Sequence, residues 1–263
     1  MPDVEEESIL DGVSDLIDLE FGLEIGKTRR HKNETSFREL ATRPMVGFEV
    51  SGLIEKIYVK IGENWRNSAC RRGSKDNWRF DKQPNISVKN RSPEVILEKS
   101  IVNIPDEIWS DARCWMNQVP VASGLTRRRE GRRAIDLVHR CPDGWYEFIE
   151  LKVNGRGGSP LFAAMEILQY GVLYIFSRQN AKDLGYTEAE KPLLGATGIH
   201  LRVMAPATYY ALFDDLSWLE EGISKALAIF LAQPRFAFKL AMDFEFETLW
   251  LIPSRSHPVT WKV

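Results

Sequence analysis

Two carboxylates and one amine, on Asp136, Glu150 and Lys152, are spaced so that a single β-hairpin would bring them together. Two ionised carboxylates that face each other across a strand pair repel unless a positive charge lies between them. A divalent cation would remove that conflict. Lys152, two residues after Glu150 and therefore on the same strand face, adds a second positive charge. These residues indicate a site that binds a divalent cation beside an ammonium group.

The hairpin is predicted from its turn and from the residues on either side. Residues 133–141 and 145–153 are rich in β-branched, aromatic and aliphatic side chains, which favour strands. Between them, Pro142 presets φ for the first loop position, Asp143 suits the second, and Gly144 tolerates a left-handed backbone. With this three-residue loop the facing pairs are Arg140 with Tyr146, Val138 with Phe148, and Asp136 with Glu150.

Glu150 and Lys152 have a simpler alternative explanation. A Glu-x-Lys pair on a strand is commonly a solvated ion pair. Here the pair is flanked by Phe148, Ile149 and Leu151, in a strand apolar enough to be buried on both faces. Buried charges need partners or metals, so the metal site is favoured and the structural ion pair stays open.

Asp136, followed after a short hairpin by Glu150-Leu151-Lys152, resembles the core motif of the PD-(D/E)XK nuclease superfamily, which has the restriction-endonuclease-like fold. The resemblance extends over roughly residues 92–205, and the residue before Asp136 is Ile where the family name has Pro. It implies that Asp136 and Glu150 bind Mg²⁺, with the Leu151 carbonyl as a further ligand. Mn²⁺ is an alternative cation, since hard oxygen ligands suit both. The resemblance also implies that Lys152 assists the attacking water and that the protein hydrolyses phosphodiester bonds in DNA.

A third acidic residue comes from the helix predicted before the hairpin. Ser92, Pro93 and Glu94 are typical of a helix start, and the helix is expected to end near Asn103. Glu98 falls within its apolar face, where a carboxylate is unusual. The resemblance implies that Glu98 binds a second metal ion or a metal-bound water.

A nearly all-apolar helix is predicted after the hairpin, from Ser159-Pro160 to about Gln179. Three mid-helix polar residues, Glu166, Gln169 and Tyr170, share a face by their spacing. The resemblance implies a catalytic role for Gln169. The alternative is that Gln169 has only a structural role, as a buried amide whose hydrogen bonds are made within the protein.

Positive charge is concentrated next to the hairpin. Residues 25–140 contain 24 Lys plus Arg against 14 Asp plus Glu, whereas residues 1–24 contain nine acidic residues and no Lys or Arg. A basic region of this kind is expected of a nucleic-acid binder, and Arg can bind phosphate bidentately. The predicted nucleic-acid contacts are Arg127, Arg128, Arg129, Arg132, Arg133 and Arg156, with a solvated loop as the alternative.

The predicted elements are a helix over 92–103, three strands within 119–153, a helix over 160–179 and a strand over 198–204. This order matches the αβββαβ core of the restriction-endonuclease-like fold. We therefore expect an α/β fold with a mixed central sheet flanked by helices, plus N- and C-terminal additions.

Three parts of the chain are expected around this plan. Residues 1–90 are an N-terminal extension or small subdomain, basic and aromatic-rich after residue 25, with strands over 46–61. Residues 91–205 form the nuclease-like core. Residues 206–263 complete the domain with helices and an antiparallel hairpin over 236–252.

The composition of the 263-residue chain is that of a globular protein. No apolar run of about 20 residues is evident, and no basic-then-apolar start is present, so no transmembrane helix and no secretory signal are expected. Three widely spaced cysteines indicate reduced thiols in the cytoplasm and no cysteine-based metal site, and the four scattered histidines show no ligand spacing.

DNA is the expected partner. RNA stays open as an alternative, as does a second copy of the chain or another protein, and no membrane is expected. Two other functions also stay open. The chain could be a non-catalytic nucleic-acid-binding protein, or a scaffold in which Glu150 and Lys152 form a structural ion pair.

Overall fold

The structure is a computed structural model that describes residues 8–23, 34–42, 49–68, 73–85, 92–104, 114–122, 133–153, 159–187, 189–211, 213, 215–252 and 260–262. Five strands form a mixed sheet in chain order: β1 (Trp115–Pro120), β2 (Ala134–Arg140), β3 (Trp145–Leu151), β4 (Gly198–Pro206) and β5 (Ala241–Ile252). Neighbours among β1 to β3 are antiparallel, β4 is parallel to β3, and β5 is parallel to β4. A short strand, β6 (Thr260–Lys262), pairs antiparallel with the last residues of β5.

Helices cover both faces of this sheet. Within the described residues they are α1 (Val13–Glu20), α2 (Glu34–Leu40), α3 (Val50–Asn67), α4 (Pro93–Val102), α5 (Pro160–Gln179), α6 (Ala181–Leu184), α7 (Ala207–Tyr210) and α8 (Ser217–Leu231). One face, which includes Val138 and Phe148, forms the main apolar core with α3, α5 and α8. The other face, which includes Leu137 and Ile149, packs against α4. The expected α/β fold with a mixed sheet flanked by helices is therefore confirmed.

The hairpin between β2 and β3 has the predicted register. Arg140 pairs with Tyr146 and Val138 with Phe148, and the Cys141 N–H closes the turn on the Trp145 carbonyl at 2.9 Å. The loop differs in one detail, since Asp143 and Gly144 both have positive φ, 59° and 77°. Asp tolerates the left-handed region better than most residues. The second positive φ is therefore accommodated within the predicted three-residue loop.

Three element predictions are wrong. Residues from Val50 onward form α3, not strands, because the buried residues recur at the three- and four-residue spacing of a helix. The β-branched residues of this stretch favoured strands, but that spacing places them on the face that packs against α5 and α8. β1 begins at Trp115, four residues before the expected Val119. β5 is a single strand parallel to β4, and its antiparallel partner comes later, as β6.

The helix α5 lies in the centre of the core. It is long and apolar enough to cross a membrane, contrary to the expectation that no such stretch exists, but 89% of its most apolar window is buried inside the fold. Such burial is what the core helix of a soluble protein has. Pro160 at its first position suits the start of a helix.

Candidate active site

The two strands of the hairpin separate where their acidic residues lie. The ladder between β2 and β3 ends at Leu137 and Ile149. One step beyond, Asp136 and Glu150 follow in register, and the Leu151 N–H donates to Asp136 Oδ2 at 2.9 Å. A side-chain carboxylate therefore accepts a hydrogen bond that a backbone carbonyl of β2 would accept in a continued ladder.

Lys152 connects the hairpin to α5. Its ammonium donates to Glu150 Oε1 at 2.6 Å and to Glu166 Oε2 at 2.9 Å. Glu166 lies on α5, so Glu150 and Lys152 are on the sheet face that this helix covers, and Asp136 is within electrostatic reach of Lys152 and Glu166. We call Asp136, Glu150, Lys152 and Glu166 the acidic site.

The acidic site has more negative than positive charge. Its three carboxylates share one ammonium, an excess of two negative charges when all are ionised. Burial raises the pKa of Asp136 to about 7, although the Lys152 ammonium and the Leu151 N–H lower it. Burial, followed by the Asp136 charge, raises the pKa of Glu150 well above its ordinary value. Burial alone would lower the pKa of Lys152, but the surrounding carboxylates, Glu150 foremost, raise it well above its ordinary value.

Glu98 lies near the acidic site but is bound by two amides. Its carboxylate, 1% exposed, accepts hydrogen bonds from Asn117 Nδ2 and Gln118 Nε2, each at 2.5 Å. Burial raises the pKa of Glu98 in spite of these hydrogen bonds. The charge of Glu98 in turn raises the pKa of Asp136. The structure thus places Glu98 within electrostatic reach of Asp136, while its oxygens contact β1.

Gln118 has a strained backbone in the middle of β1. Its φ is 47°, in the left-handed region that costs a non-glycine residue about 1–2 kcal/mol. The residues on either side of Gln118 pair with Leu137 and Ile135, so Gln118 lies opposite Asp136. Strained residues of this kind are concentrated at functional sites. Here the strained residue donates to Glu98 and is the neighbour of Asp136 in the sheet.

Gln169 and Arg133 contact each other beside the acidic site. Arg133 Nη1 donates to Gln169 Oε1 at 3.1 Å, and Gln169 Nε2 donates to a backbone carbonyl of α5 at 3.4 Å. The buried amide of Gln169 is therefore satisfied. Burial, then the charges of Glu150 and Glu166, raise the pKa of the adjacent Tyr170. This electrostatic coupling places the Gln169 face of α5 next to the acidic site.

Other predicted nucleic-acid contacts lie outside the residues that the structure describes, namely Arg127, Arg128, Arg129, Arg132 and Arg156.

Glu166 belongs to the acidic site without having been assigned a role from the sequence. The signal for it was its spacing, three residues before Gln169 on the polar face of an apolar helix.

A second group of ligand-type side chains lies at the turn end of the hairpin. The donor atoms of His139, Cys141 and Glu147 lie within 4.8 Å of one another. The histidines show no ligand spacing along the chain, but the hairpin places Glu147 opposite His139 and so brings ligand-type side chains together across the two strands. Burial, followed by the Glu147 charge, raises the pKa of the Cys141 thiol to about 11. The carboxylates of the acidic site do not form a comparably tight set, since the Lys152 ammonium bridges two of them.

No protein-family model, no curated protein and no solved structure matches this chain. The likeness to the PD-(D/E)XK superfamily therefore rests on the residues quoted for it. Two of them, Glu150 and Lys152, are in direct contact, and Asp136 is bound to the backbone between them. The function is inferred from this geometry.

Proposed function

We propose that this protein is a metal-dependent nuclease that hydrolyses phosphodiester bonds in DNA. The observation that supports the proposal is the arrangement of Asp136, Glu150 and Glu166 around Lys152, at the point where β2 and β3 separate. Carboxylates that bind a cation, beside a positive donor for the phosphate, are the groups that metal-assisted hydrolysis uses. The order α4, β1 to β3, α5, β4 is the order expected of a restriction-endonuclease-like core.

The oxygen atoms of the acidic site fit Mg²⁺, with Mn²⁺ as the alternative, because both ions prefer carboxylate and carbonyl ligands. Asp136 and Glu150 would bind the ion with the Leu151 carbonyl. Glu98 would bind a second ion or one of its waters after releasing an amide. When bound, the ion acidifies water and stabilises negative charge on the phosphate. The excess negative charge of the acidic site is the electrostatic reason for binding.

Lys152 acts as a charged hydrogen-bond donor in this proposal. Its raised pKa keeps it an ammonium at neutral pH, so it does not remove a proton from water. The hydrogen bonds to Glu150 and Glu166 fix its Nζ, which then orients the attacking water and neutralises charge that develops on the phosphate. Glu166 is a positioning residue, since it acts on the reaction through Lys152.

Of the arginines predicted to contact nucleic acid, Arg133 is the one within the described residues, and we propose that it binds a substrate phosphate. A guanidinium has five donors, so its bond to Gln169 leaves others for phosphate. Arg156 and the arginines over 127–132 would add phosphate contacts along the strand. DNA is the proposed substrate and RNA the alternative. The free thiol of Cys141 fits the cytoplasmic location proposed for this protein.

One observation favours a different function. Lys152 bonded to both Glu150 and Glu166 is also the arrangement of a structural ion network between β3 and α5. In that case the protein binds nucleic acid without cleaving it, or is a scaffold. The network explains Glu150 and Glu166 but not Asp136, whose hydrogen bond comes from a backbone N–H. For this reason we prefer the nuclease.

The experiment that tests this function incubates purified protein with plasmid, linear duplex and single-stranded DNA, with Mg²⁺, with Mn²⁺ and with EDTA. Cleavage that requires the metal and is lost in Asp136→Asn supports the nuclease. Asp76→Asn, which removes an exposed carboxylate, should cleave like the parent. Binding without cleavage under every condition would indicate a non-catalytic binder. No binding at low salt would indicate a scaffold.

A further inference from the structure

Three side chains of zinc-binding type converge at the turn end of β2 and β3. His139 Nδ1 lies 2.6 Å from Glu147 Oε2 and 3.7 Å from Cys141 Sγ, and the three donor atoms lie within 4.8 Å of one another. Each side chain is partly exposed. From this geometry we infer a zinc site with His139, Cys141 and Glu147 as ligands and a fourth position open to solvent.

One separation between donor atoms, that of His139 and Cys141, is close to the value that a tetrahedral zinc ion requires. Zinc–nitrogen bonds of about 2.0–2.1 Å and zinc–sulfur bonds of about 2.3 Å place those two ligands about 3.5 Å apart. The observed separation of His139 Nδ1 and Cys141 Sγ is 3.7 Å. Nitrogen and oxygen ligands would be about 3.4 Å apart. The His139–Glu147 contact of 2.6 Å must therefore open by a small side-chain rotation when the ion enters.

All three ligands lie on the two strands of one hairpin. His139 and Glu147 face each other in the β2–β3 ladder, and Cys141, two residues after His139, is on the same face. The Trp115 indole stacks on the His139 imidazole, with 4.3 Å between ring centroids and 18° between planes. A ring held in this way loses little freedom when it binds a metal, so the site is largely preformed.

Ligand chemistry separates this cluster from the acidic site. Thiolate and imidazole select zinc and related transition ions, whereas carboxylates alone suit Mg²⁺. The cluster also lies on the α4 face of the sheet, where Trp115 stacks on His139, while the acidic site contacts α5 through Glu166. Coordination releases the thiol proton of Cys141 to solvent. The zinc site therefore goes beyond the proposed nuclease function and does not depend on it.

The test uses the full chain with Cys141 as its only thiol, the double variant Cys70→Ser/Cys114→Ala. Its partner carries Cys141→Ser in addition and has no thiol. Co²⁺ serves as the probe, because a Co²⁺–thiolate bond gives near-ultraviolet charge-transfer absorption that the oxygen ligands of the acidic site do not give. We expect this band in the single-thiol protein, its loss in the thiol-free protein, and its removal by one equivalent of zinc per chain.

A second pair of variants decides the result if either thiol variant fails to fold. Glu147→Gln removes a ligand in the chain that keeps all its cysteines, and Glu245→Gln is the matched control because its carboxylate is exposed on β5. Zinc affinity should fall at least tenfold in Glu147→Gln, since loss of even an indirect partner of a metal site costs about 10–100-fold. It should not change in Glu245→Gln.

The proposal is overturned by either of two results. One is the absence of a thiolate band in folded single-thiol protein at millimolar Co²⁺. The other is an unchanged zinc affinity in Glu147→Gln. In both cases His139 and Glu147 form only a hydrogen-bonded pair beside a neutral thiol. Neither result bears on Mg²⁺-dependent cleavage, so the failure of this proposal is distinguishable from failure of the nuclease.

Discussion

Replacing Asp136 by Asn tests the acidic site without any cleavage assay. Asn keeps the shape of the side chain and can still accept the Leu151 N–H hydrogen bond through its amide oxygen. It removes one of three carboxylates that share a single ammonium. Because burial raises the pKa of Asp136, its ionised form destabilises the metal-free protein. Asp136→Asn should therefore be more stable than the parent at neutral and alkaline pH.

The size of the effect follows from the pKa shift. The pKa of Asp136 rises from 3.8 to about 7 on folding, and one pKa unit corresponds to about 1.4 kcal/mol. Ionised Asp136 thus lowers the free energy of unfolding by up to about 4 kcal/mol. The folded protein binds the extra proton, so this stability is fully present below pH 3.8 and is lost as the pH rises to about 7. Glu150 titrates together with Asp136, so the loss belongs to the pair.

The assay is urea denaturation of the parent and of Asp136→Asn in EDTA, from about pH 5 to about pH 8. The stability advantage of the variant should be smallest at the acid end, grow with pH, and level off above the pKa of Asp136. Asp76→Asn controls for the loss of one surface carboxylate. Repeating the series with Mg²⁺ should stabilise the parent, by about 2.7 kcal/mol at a hundredfold excess over its dissociation constant. The variant should gain much less.

Two results would refute this reasoning. If the stability difference between parent and Asp136→Asn were the same at both ends of the pH range, ionisation of Asp136 would have no energetic cost. If Mg²⁺ stabilised both proteins equally, the ion would bind elsewhere. The structural ion network of Lys152 with Glu150 and Glu166 would then be the better account of the acidic site.

Three further predictions concern catalysis, substrate binding and packing. Lys152→Ala should lower the cleavage rate by about 10²–10³, while calorimetry should still detect Mg²⁺ binding, because Lys152 is not a ligand. Neutral replacement of the arginines over 127–133 should weaken DNA binding. The log–log slope of affinity against salt should fall by about 0.9 for each lost duplex contact, and an unchanged slope would make these arginines a solvated loop. Gly171→Ala should lower the free energy of unfolding by about 1–3 kcal/mol, because its Cβ would lie 2.8 Å from Leu201 Cδ1. Gly52→Ala on α3 meets nothing within 4 Å and should raise it by up to about 1 kcal/mol; equal urea midpoints for the two would contradict this packing.

The sequence predicted the part of the site whose determinants are local. The turn at 142–144 sets the register as far as Leu137 and Ile149, and Asp136 and Glu150 are the next residues of the two strands. The helix bearing Glu98 and the long helix bearing Gln169 follow from a helix-start signal and from composition. Both elements extend over nearly the residues predicted for them.

Contacts between residues distant in the chain could not be predicted in the same way. Glu166 reaches Lys152 only because α5 packs on that face of the sheet. The left-handed backbone at position 118 could not be predicted, because the residue there is Gln and not Gly or Asn. The side chain of Gln118 donates to buried Glu98, which lies 20 residues earlier in the chain. The cluster at His139 was missed because Cys and His spacing was considered along the chain, not across the hairpin.

The central position of α5 has a consequence for how the protein is made. β3 precedes α5 in the chain, but two other strands of the sheet are synthesised after this helix: Leu201 on β4 and Met242 on β5 lie against Gly171 of α5. From Gln179 to Ile252 the ribosome adds 73 residues, which takes about 4–15 s at about 5–20 residues per second. During that time a helix apolar enough to cross a membrane lacks β4 and β5, and the nascent chain is open to aggregation and to chaperones. A ribosome pause between residues 180 and 240 should therefore lower the yield of folded protein more than an equal pause after residue 252.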